Sequence, residues 1–253
     1  MNRKLVLVLS VFLVQFPILI CCIVGLIPLH PLVIMIPLVC FLNTKIENRD
    51  RKGLGLIINR LKSSILLALF FSTFLFVGRL IVFRLEGMII EIPSFSTDTL
   101  WFLLKDFIVA VFIIAMWEEI VNRGYIQTRL QEVWRFKGVI VATLLFASLH
   151  IPSAFLDFGF NLNIVLWRFV ETGLAGFMLA YVYWLTGSVF STIAFHGLRN
   201  FSNDLALYLG NATHGQIIAS QIPFQFVWLL VQIALLLFIS RTIFKHYKKS
   251  NNH

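Results

Sequence analysis

Two glutamates and an arginine interrupt an apolar stretch of this sequence. Glu118 and Glu119 follow the uncharged run 107–117, and Arg123 comes four residues after Glu119. A charge near the centre of a bilayer costs roughly 2.5–3.5 kcal/mol on insertion scales. Three such charges therefore need partners, a water-filled cavity or both. An expensive polar group inside a membrane is by default a candidate functional site.

The spacing of this motif separates the roles of the two glutamates. Glu119 and Arg123 share one face of a helix, so they can neutralise each other. Glu118 is rotated by about 100° and can present a free carboxylate to the interior of a bundle. The pattern fits a general base beside a structural ion pair. It fits equally a buried salt-bridge cluster that only locks the packing of helices.

The composition is that of a polytopic membrane protein. The 253 residues are 59% hydrophobic and 13% charged, with a mean hydropathy of +0.88, which excludes an ordinary soluble domain. The formal net charge is +9, but most basic residues flank apolar segments. This placement indicates orientation in a bilayer and no nucleic-acid partner. The three cysteines have no metal-site or disulfide spacing and are interpreted as apolar filler.

We predict an all-α, polytopic transmembrane bundle that forms one integral membrane domain over residues 1–253. About eight spans are expected, and the first follows a basic N-terminus without a convincing cleavage site, so it is interpreted as an uncleaved span. The predicted spans cover about 5–26, 32–43, 63–83, 107–130, 138–156, 163–185, 188–209 and the segment from the polar turn 210–221 to about 239.

The distribution of charge predicts the orientation of this bundle. With eight spans, the basic N-terminus, the loops 43–62 and 129–137 and the basic C-terminus all fall on one side. The acidic segment 84–106 falls on the other side. The positive-inside rule then places both termini in the cytoplasm.

Two further motifs carry side chains that could do chemistry. His150 follows Phe146 by four residues, and Asn200 follows His196 by four, so each pair shares a helix face. At 1.5 Å per residue, Glu118, His150 and His196 lie about 13–20 Å from the predicted inner edges. His150 alone could be a packing histidine, and the third motif alone could be an interhelical hydrogen-bond pair. Together with the glutamates they exceed what packing requires.

The three motifs, in this order on separate spans, resemble the signature of the CPBP family. That family comprises the type II CAAX prenyl endopeptidases and the bacteriocin-processing or self-immunity proteins, also called Abi proteins. The motifs are Glu118-Glu119-x-x-x-Arg123, Phe146-x-x-x-His150 and His196-x-x-x-Asn200, within about 107–209.

The resemblance implies an intramembrane endopeptidase in a bilayer, expected to be a bacterial plasma membrane. Its substrate would be a membrane-anchored or hydrophobic peptide. The resemblance implies that Glu118 and His150 activate water and that His196 and Asn200 stabilise the tetrahedral oxyanion. The whole predicted catalytic set is Glu118, Glu119, Arg123, His150, His196 and Asn200.

The sequence leaves the metal requirement open. Zinc could be held by His150, His196 and Glu118 with an open water position. No pair of histidines is spaced one turn apart, as zinc proteases of the His-Glu-x-x-His type require. Asn200 is a poor zinc ligand and a good oxyanion donor, so a metal-free mechanism without a bound cofactor is favoured.

Two rival functions remain for comparison. A non-proteolytic immunity or scaffolding protein that binds another membrane protein would not need the intact catalytic set. A proton-linked transporter would show paired halves or matching broken helices, and the sequence has neither. Of the remaining charges, Arg168 and Glu171 are expected to pair near the outer interface. Arg199 adjoins the third motif but is expected to project away from it, as a packing residue or as a contact to a substrate carboxylate.

Overall fold

The computed structural model describes residues 2–26, 30–58, 61–85, 87–91, 93–94, 96–159, 161–210 and 222–244. Within these ranges the regular elements are all helices and none is a strand, so the predicted all-α fold is confirmed. In chain order the helices are α1 (Arg3–Ile23), α2 (Pro31–Phe41), α3 (Leu61–Leu85), α4 (Thr97–Trp134), α5 (Phe136–Ser148), α6 (Ile151–Phe158), α7 (Leu162–Thr186), α8 (Val189–Leu209) and α9 (Ile222–Phe244).

Among the described residues, five helical segments are long and apolar enough to cross a membrane: α1, α3, α4, the consecutive helices α5 and α6 taken together, and α7. The segments Pro31–Ile46 and Phe226–Ser240 are apolar but shorter. Leu66 and Phe238 are 60% and 70% exposed, as expected for side chains that face lipid instead of water. The chain is an integral membrane protein. The count of eight spans stays a prediction.

Helix α4 begins earlier than predicted. The sequence suggested a span at 107–130, but the helix starts at Thr97 because the Ser96 hydroxyl accepts a hydrogen bond from the Thr99 amide at 3.2 Å. This is the usual way in which a serine caps a helix N-terminus. The first part, Thr97–Ile108, buries none of its side chains. The added turns therefore extend the helix beyond the packed core.

The second half of α4 forms the centre of the bundle. Val121 and Tyr125 are fully buried, and their cluster reaches α1, α2, α5 and α7. Helix α8 crosses close to the first half. A Cβ on Gly197 would lie 2.7 Å from the Val111 Cα, so only glycine permits this approach of α8 to α4. The close crossing brings the first and third motifs together.

Ion pairs join three basic segments at one end of the bundle. Glu132, near the end of α4, bonds to Lys4 Nζ at 2.7 Å and to Arg49 Nη2 at 2.9 Å. Arg129 bonds to Glu47 Oε2 at 2.6 Å and also to the Gly53 carbonyl. The N-terminus, the 43–62 loop and the end of α4 thus lie together, which agrees with the predicted topology. Which side of the membrane this end faces stays a prediction.

Cysteine labelling tests the orientation. In a background without the three native cysteines, Ser94→Cys is expected to react with a membrane-impermeant maleimide added to intact cells. Arg51→Cys, the control at the opposite end, should react only after permeabilisation, because its loop carries the basic residues that stay in the cytoplasm. Labelling of Arg51→Cys in intact cells, with no labelling of Ser94→Cys, would reverse the orientation.

Candidate active site

The two glutamates of the first motif lie at an irregular point of α4. The α-helical residues Met116–Glu119 separate two π-helical segments, Val109–Ala115 and Ile120–Gln127. Such widened turns are frequent at functional sites, because they re-aim the side chains beside them. The Glu118 side chain remains 14% exposed while the Glu119 side chain is fully buried. The predicted difference between the two carboxylates is therefore present in their surroundings.

Glu119 connects the first motif to the third. Its Oε2 lies 3.4 Å from Arg123 Nε, as the four-residue spacing predicted. Its Oε1 lies 2.9 Å from His196 Nδ1 on α8, a contact that the sequence did not predict. A carboxylate can only accept, so this nitrogen is the donor and Nε2 is the one that faces the cavity. Glu119 thus fixes the orientation of the His196 ring.

The buried Arg123 side chain contacts residues of α5 and α7. Its Nη2 donates to the Gly176 carbonyl at 3.1 Å, and its guanidinium stacks 4.6 Å from the centre of the Phe146 ring. Phe146 also meets the His150 and His196 rings edge to face, at 4.9 and 6.4 Å between centroids. Phe146, the aromatic residue of the second motif, therefore packs against the Arg123 guanidinium and against both histidine rings.

His150 lies at the break between α5 and α6, within the segment Phe136–Leu156 that agrees with the predicted fifth span. Pro152 opens α6 and lacks the amide hydrogen that would continue α5. His150 Nδ1 lies 3.1 Å from the Phe146 carbonyl oxygen. Because a carbonyl only accepts, Nδ1 carries the proton in the neutral ring and Nε2 keeps its lone pair. This tautomer leaves one basic nitrogen for the site.

One cavity of 310 Å³ collects the predicted polar residues from three helices. Glu118 of α4, His150 of the α5–α6 break, and His196 and Asn200 of α8 all line it. The Glu118 carboxylate lies 4.0 Å from His196 Nε2. Glu119 and Arg123 do not line the cavity, and their side chains are fully buried. The structure therefore brings four of the six predicted residues to the cavity and places the other two as supports.

The family comparison agrees with this grouping. Residues 99–202 match the family described as Rce1-like, the type II CAAX prenyl endopeptidases. The match confirms the predicted CAAX-protease resemblance. It spans all three motifs and excludes α1 to α3 and α9. That family is one of peptidases, and no curated protein or solved structure matches the chain.

The described residues do not assemble a metal site. No group of three or more histidine, cysteine, aspartate or glutamate side chains in these ranges is close enough to hold an ion. The candidate zinc set of His150, His196 and Glu118 lines one cavity without forming such a group. The zinc alternative therefore lacks a preformed set of ligands among the described residues.

The sequence missed a second group of charges in the same cavity. Arg79 of α3, Arg168 and Glu171 of α7, and Arg199 of α8 all line it. The expected pair of Arg168 and Glu171 exists, at 3.1 Å, but it faces the cavity. The expectation that Arg199 projects away from the third motif is wrong. The signal was its position three residues after His196, which keeps both on neighbouring rows of one helix face.

Gly176 offers a test of the support around Arg123. A Cβ there would lie 2.8 Å from Phe146 Cδ1, whereas one on Gly173 would lie 3.6 Å from the Ala147 Cβ. Gly176→Ala is expected to displace the Phe146 ring and lower peptidase activity about tenfold or more, since a misplacement of about 1 Å can be that costly. Gly173→Ala is the matched control, with near-normal activity. Equal rates for both variants would contradict this role of the Phe146 ring.

Proposed function

We propose that this protein is a CAAX-type intramembrane endopeptidase that hydrolyses a peptide bond in a membrane-anchored or hydrophobic peptide. The observation that carries the proposal is the meeting of Glu118, His150, His196 and Asn200 at one cavity, within the segment that matches a peptidase family. These side chains come from α4, the α5–α6 break and α8. Packing alone does not require four such groups at one cavity of a membrane bundle.

Glu118 and His150 are proposed to activate the attacking water. Glu118 takes a proton as the water oxygen bonds to the substrate carbonyl carbon, and His150 Nε2 orients the same water through its free lone pair. The carbon–nitrogen bond then breaks, and the proton passes from Glu118 to the leaving amine. The reaction thus needs no serine or cysteine nucleophile.

His196 and Asn200 are proposed to stabilise the tetrahedral oxyanion. They lie one turn apart on α8, and the Asn200 amide supplies two donors. Since Glu119 holds His196 Nδ1 at 2.9 Å, the ring donates to an oxyanion through Nε2 in its doubly protonated form. Preformed donors at such a site commonly contribute 10²–10³ in rate. Glu119 and Arg123 act as positioning residues.

A second cavity supports a hydrophobic substrate. It measures 170 Å³ and shares Glu118, Phe146 and His150 with the first. Its other side is largely apolar and includes Leu19 and Ile23 of α1. The proposed catalytic pair thus lies between a polar cavity and an apolar one. An apolar side chain or a lipid anchor fits the apolar side, and the polar side suits the peptide backbone.

A peptide panel tests the activity. The purified protein in detergent is incubated with matched peptides that carry a farnesyl group, a palmitoyl group or no lipid, and mass spectrometry detects the fragments. At least one lipidated or strongly apolar peptide is expected to be cut at a single bond, whereas a polar control peptide stays intact. If every peptide survives while some bind, the non-proteolytic binding function replaces the proposal.

Chelation tests the proposed metal-free chemistry. The purified protein is expected to contain far less than one zinc per chain by elemental analysis, and its rate should be unchanged after treatment with a chelator. A soluble zinc protease serves as the control and should lose its activity under the same treatment. Stoichiometric zinc, with activity lost on removal and restored on its return, would make His150 and His196 ligands.

A further inference from the structure

The polar cavity extends along the bundle axis toward one end. Helix α8 begins at the end that carries the basic segments, the basic end, where the Val189 amide donates to the Gly55 carbonyl at 2.9 Å. It finishes at the opposite end, which we call the Glu91 end, where the Glu91 amide donates to the Leu209 carbonyl at 2.9 Å. Position along α8 therefore measures height between the two ends.

The lining of the cavity lies on one side of the proposed reacting groups. At 1.5 Å per residue, His196 lies about 10.5 Å and Asp204 about 22.5 Å from Val189. Both residues line the cavity, which thus extends about 12 Å along α8 from His196 toward the Glu91 end. Arg79 and Arg168 line it too, and each lies about 9 Å from the Glu91 end of its own helix. This part of the cavity, the vestibule, is lined by Arg79, Arg168, Glu171, Arg199, Asn203 and Asp204.

Packed residues close the opposite direction. Thr192 lies one turn from His196 on the same face of α8, toward the basic end, and is fully buried. Every residue of α4 from 119 to 127 is also buried. The 43–62 loop packs directly against this segment, because a Cβ on Gly124 would lie 2.7 Å from the Leu54 carbonyl oxygen. In the part of the chain that the structure describes, the site is therefore sealed from the basic end.

The vestibule is polar, but the cavity has no preferred sign of charge. Its three arginines are matched by three carboxylates, those of Glu118, Glu171 and Asp204. The Arg168 and Glu171 side chains, which pair at 3.1 Å, remain 31% and 14% exposed. The buried Arg199 Nε finds no hydrogen-bond partner among the described residues. Water commonly satisfies such groups, so the vestibule suits water and the uncharged hydrogen-bonding groups of a peptide backbone.

The proposed reacting groups stand between this vestibule and the apolar cavity. Glu118 and His150 line both cavities, and Leu19 and Ile23 line only the apolar one. A membrane-anchored peptide can thus place its anchor in the apolar cavity and its polar segment in the vestibule. The bond between these two parts would then lie at Glu118.

We propose that the hydrolytic water and the polar segment of the substrate enter through the vestibule from the Glu91 end. Since the positive-inside rule places the basic end in the cytoplasm, this entrance lies on the outer side of the membrane. The substrate class is therefore a membrane-anchored or hydrophobic peptide whose cleaved bond is presented from the outer side. The inference rests on the proposed peptidase function and adds the side of the membrane on which it acts.

Cysteine labelling from each side tests this route without any need for cleavage. Asn203→Cys of the vestibule and Thr192→Cys of the sealed region are made in the full-length protein without its native cysteines. The reagent is a small sulfonate-bearing thiosulfonate that does not cross membranes, and it is added to intact cells or to inside-out vesicles. Asn203→Cys is expected to react about tenfold or more faster in intact cells, because packed residues close the other route. Thr192→Cys should stay unreacted from both sides.

A second vestibule position keeps the labelling test decisive. Thr172→Cys lies in the same cavity on α7 and replaces Asn203→Cys if that variant does not elute as a single folded species. Faster labelling of the vestibule cysteine in inside-out vesicles, equal labelling from both sides, or no labelling from either side overturns the proposal. Labelling of Thr192→Cys from the cytoplasmic side overturns it as well.

Sided cleavage separates this route from the peptidase function. Right-side-out and inside-out vesicles that contain the wild-type protein receive a lipid-anchored peptide whose polar segment carries a bulky hydrophilic tag, and vesicles with Glu118→Gln measure the background. Cleavage is expected to be about tenfold or more faster in right-side-out vesicles, since the tag cannot cross the hydrocarbon core. Faster cleavage in inside-out vesicles, or equal cleavage in both, overturns the route and keeps the peptidase. Outer labelling of Asn203→Cys with no cleavage in either preparation overturns the peptidase proposal and keeps the vestibule.

Discussion

Glu118→Gln is expected to slow peptide cleavage by about 10²–10⁴-fold, the usual contribution of a general base. Glutamine has nearly the same shape as glutamate but cannot accept the proton of the attacking water. The Glu118 side chain is partly exposed to the cavity, and its carboxylate lies 4.0 Å from His196 Nε2, beyond hydrogen-bonding distance. The substitution therefore removes the base and leaves the packing around it in place. The measurement is kcat on the cleaved peptide.

The amount of folded protein is the control for this variant. Glu118→Gln should elute as a single species and unfold at the wild-type temperature. Glu132→Gln, an acid-to-amide change at the end of the same helix, should retain near-normal kcat. Normal cleavage by Glu118→Gln, in protein that folds normally, would remove Glu118 from the mechanism.

Glu119→Gln is expected to destabilise the protein by about 3–5 kcal/mol, the typical effect of removing one partner of a buried ion pair. The Glu119 and Arg123 side chains are both fully buried. Without the carboxylate, Arg123 keeps its charge, and the 2.9 Å bond from His196 then ends on a neutral amide. The variant should therefore yield less folded protein, and the protein that folds should also cleave more slowly.

Two variants separate these effects. Glu119→Gln combined with Arg123→Met removes both charges and should unfold at a higher temperature than Glu119→Gln alone, since no unpaired cation remains buried. Glu132→Gln breaks pairs that lie near the surface, so its loss should be about 1 kcal/mol or less. Thermal unfolding in detergent measures all three. A wild-type unfolding temperature for Glu119→Gln would contradict the account of the buried pair.

Local spacing was enough to predict the features that lie within one helix. The pairing of Glu119 with Arg123 follows from the four-residue step, and the structure has it at 3.4 Å. The all-α class follows from composition and from the length of the apolar segments. The grouping of His196 and Asn200 on one face follows from the same periodicity. None of these features depends on how the helices pack.

Contacts between helices could not be predicted from the spacing of residues along the sequence. The bond from His196 to Glu119 joins residues 77 positions apart, and it depends on the approach of α8 to α4 at Gly197. The meeting of Arg79, Arg168 and Arg199 at one cavity was missed for the same reason, because these residues lie on three different helices. The break in the helix at His150 could have been predicted from Pro152, but the predicted fifth span ran through it.

The most direct test of the central claim follows oxygen from water into the product. Wild-type and Glu118→Gln proteins, both treated with a chelator, are incubated in ¹⁸O-labelled water with the peptide that the panel identifies. The account predicts that the wild-type protein releases two fragments, with one ¹⁸O in the newly formed carboxyl group, and that Glu118→Gln leaves the peptide intact. Intact peptide in both reactions, or equal fragments from both proteins, would contradict it.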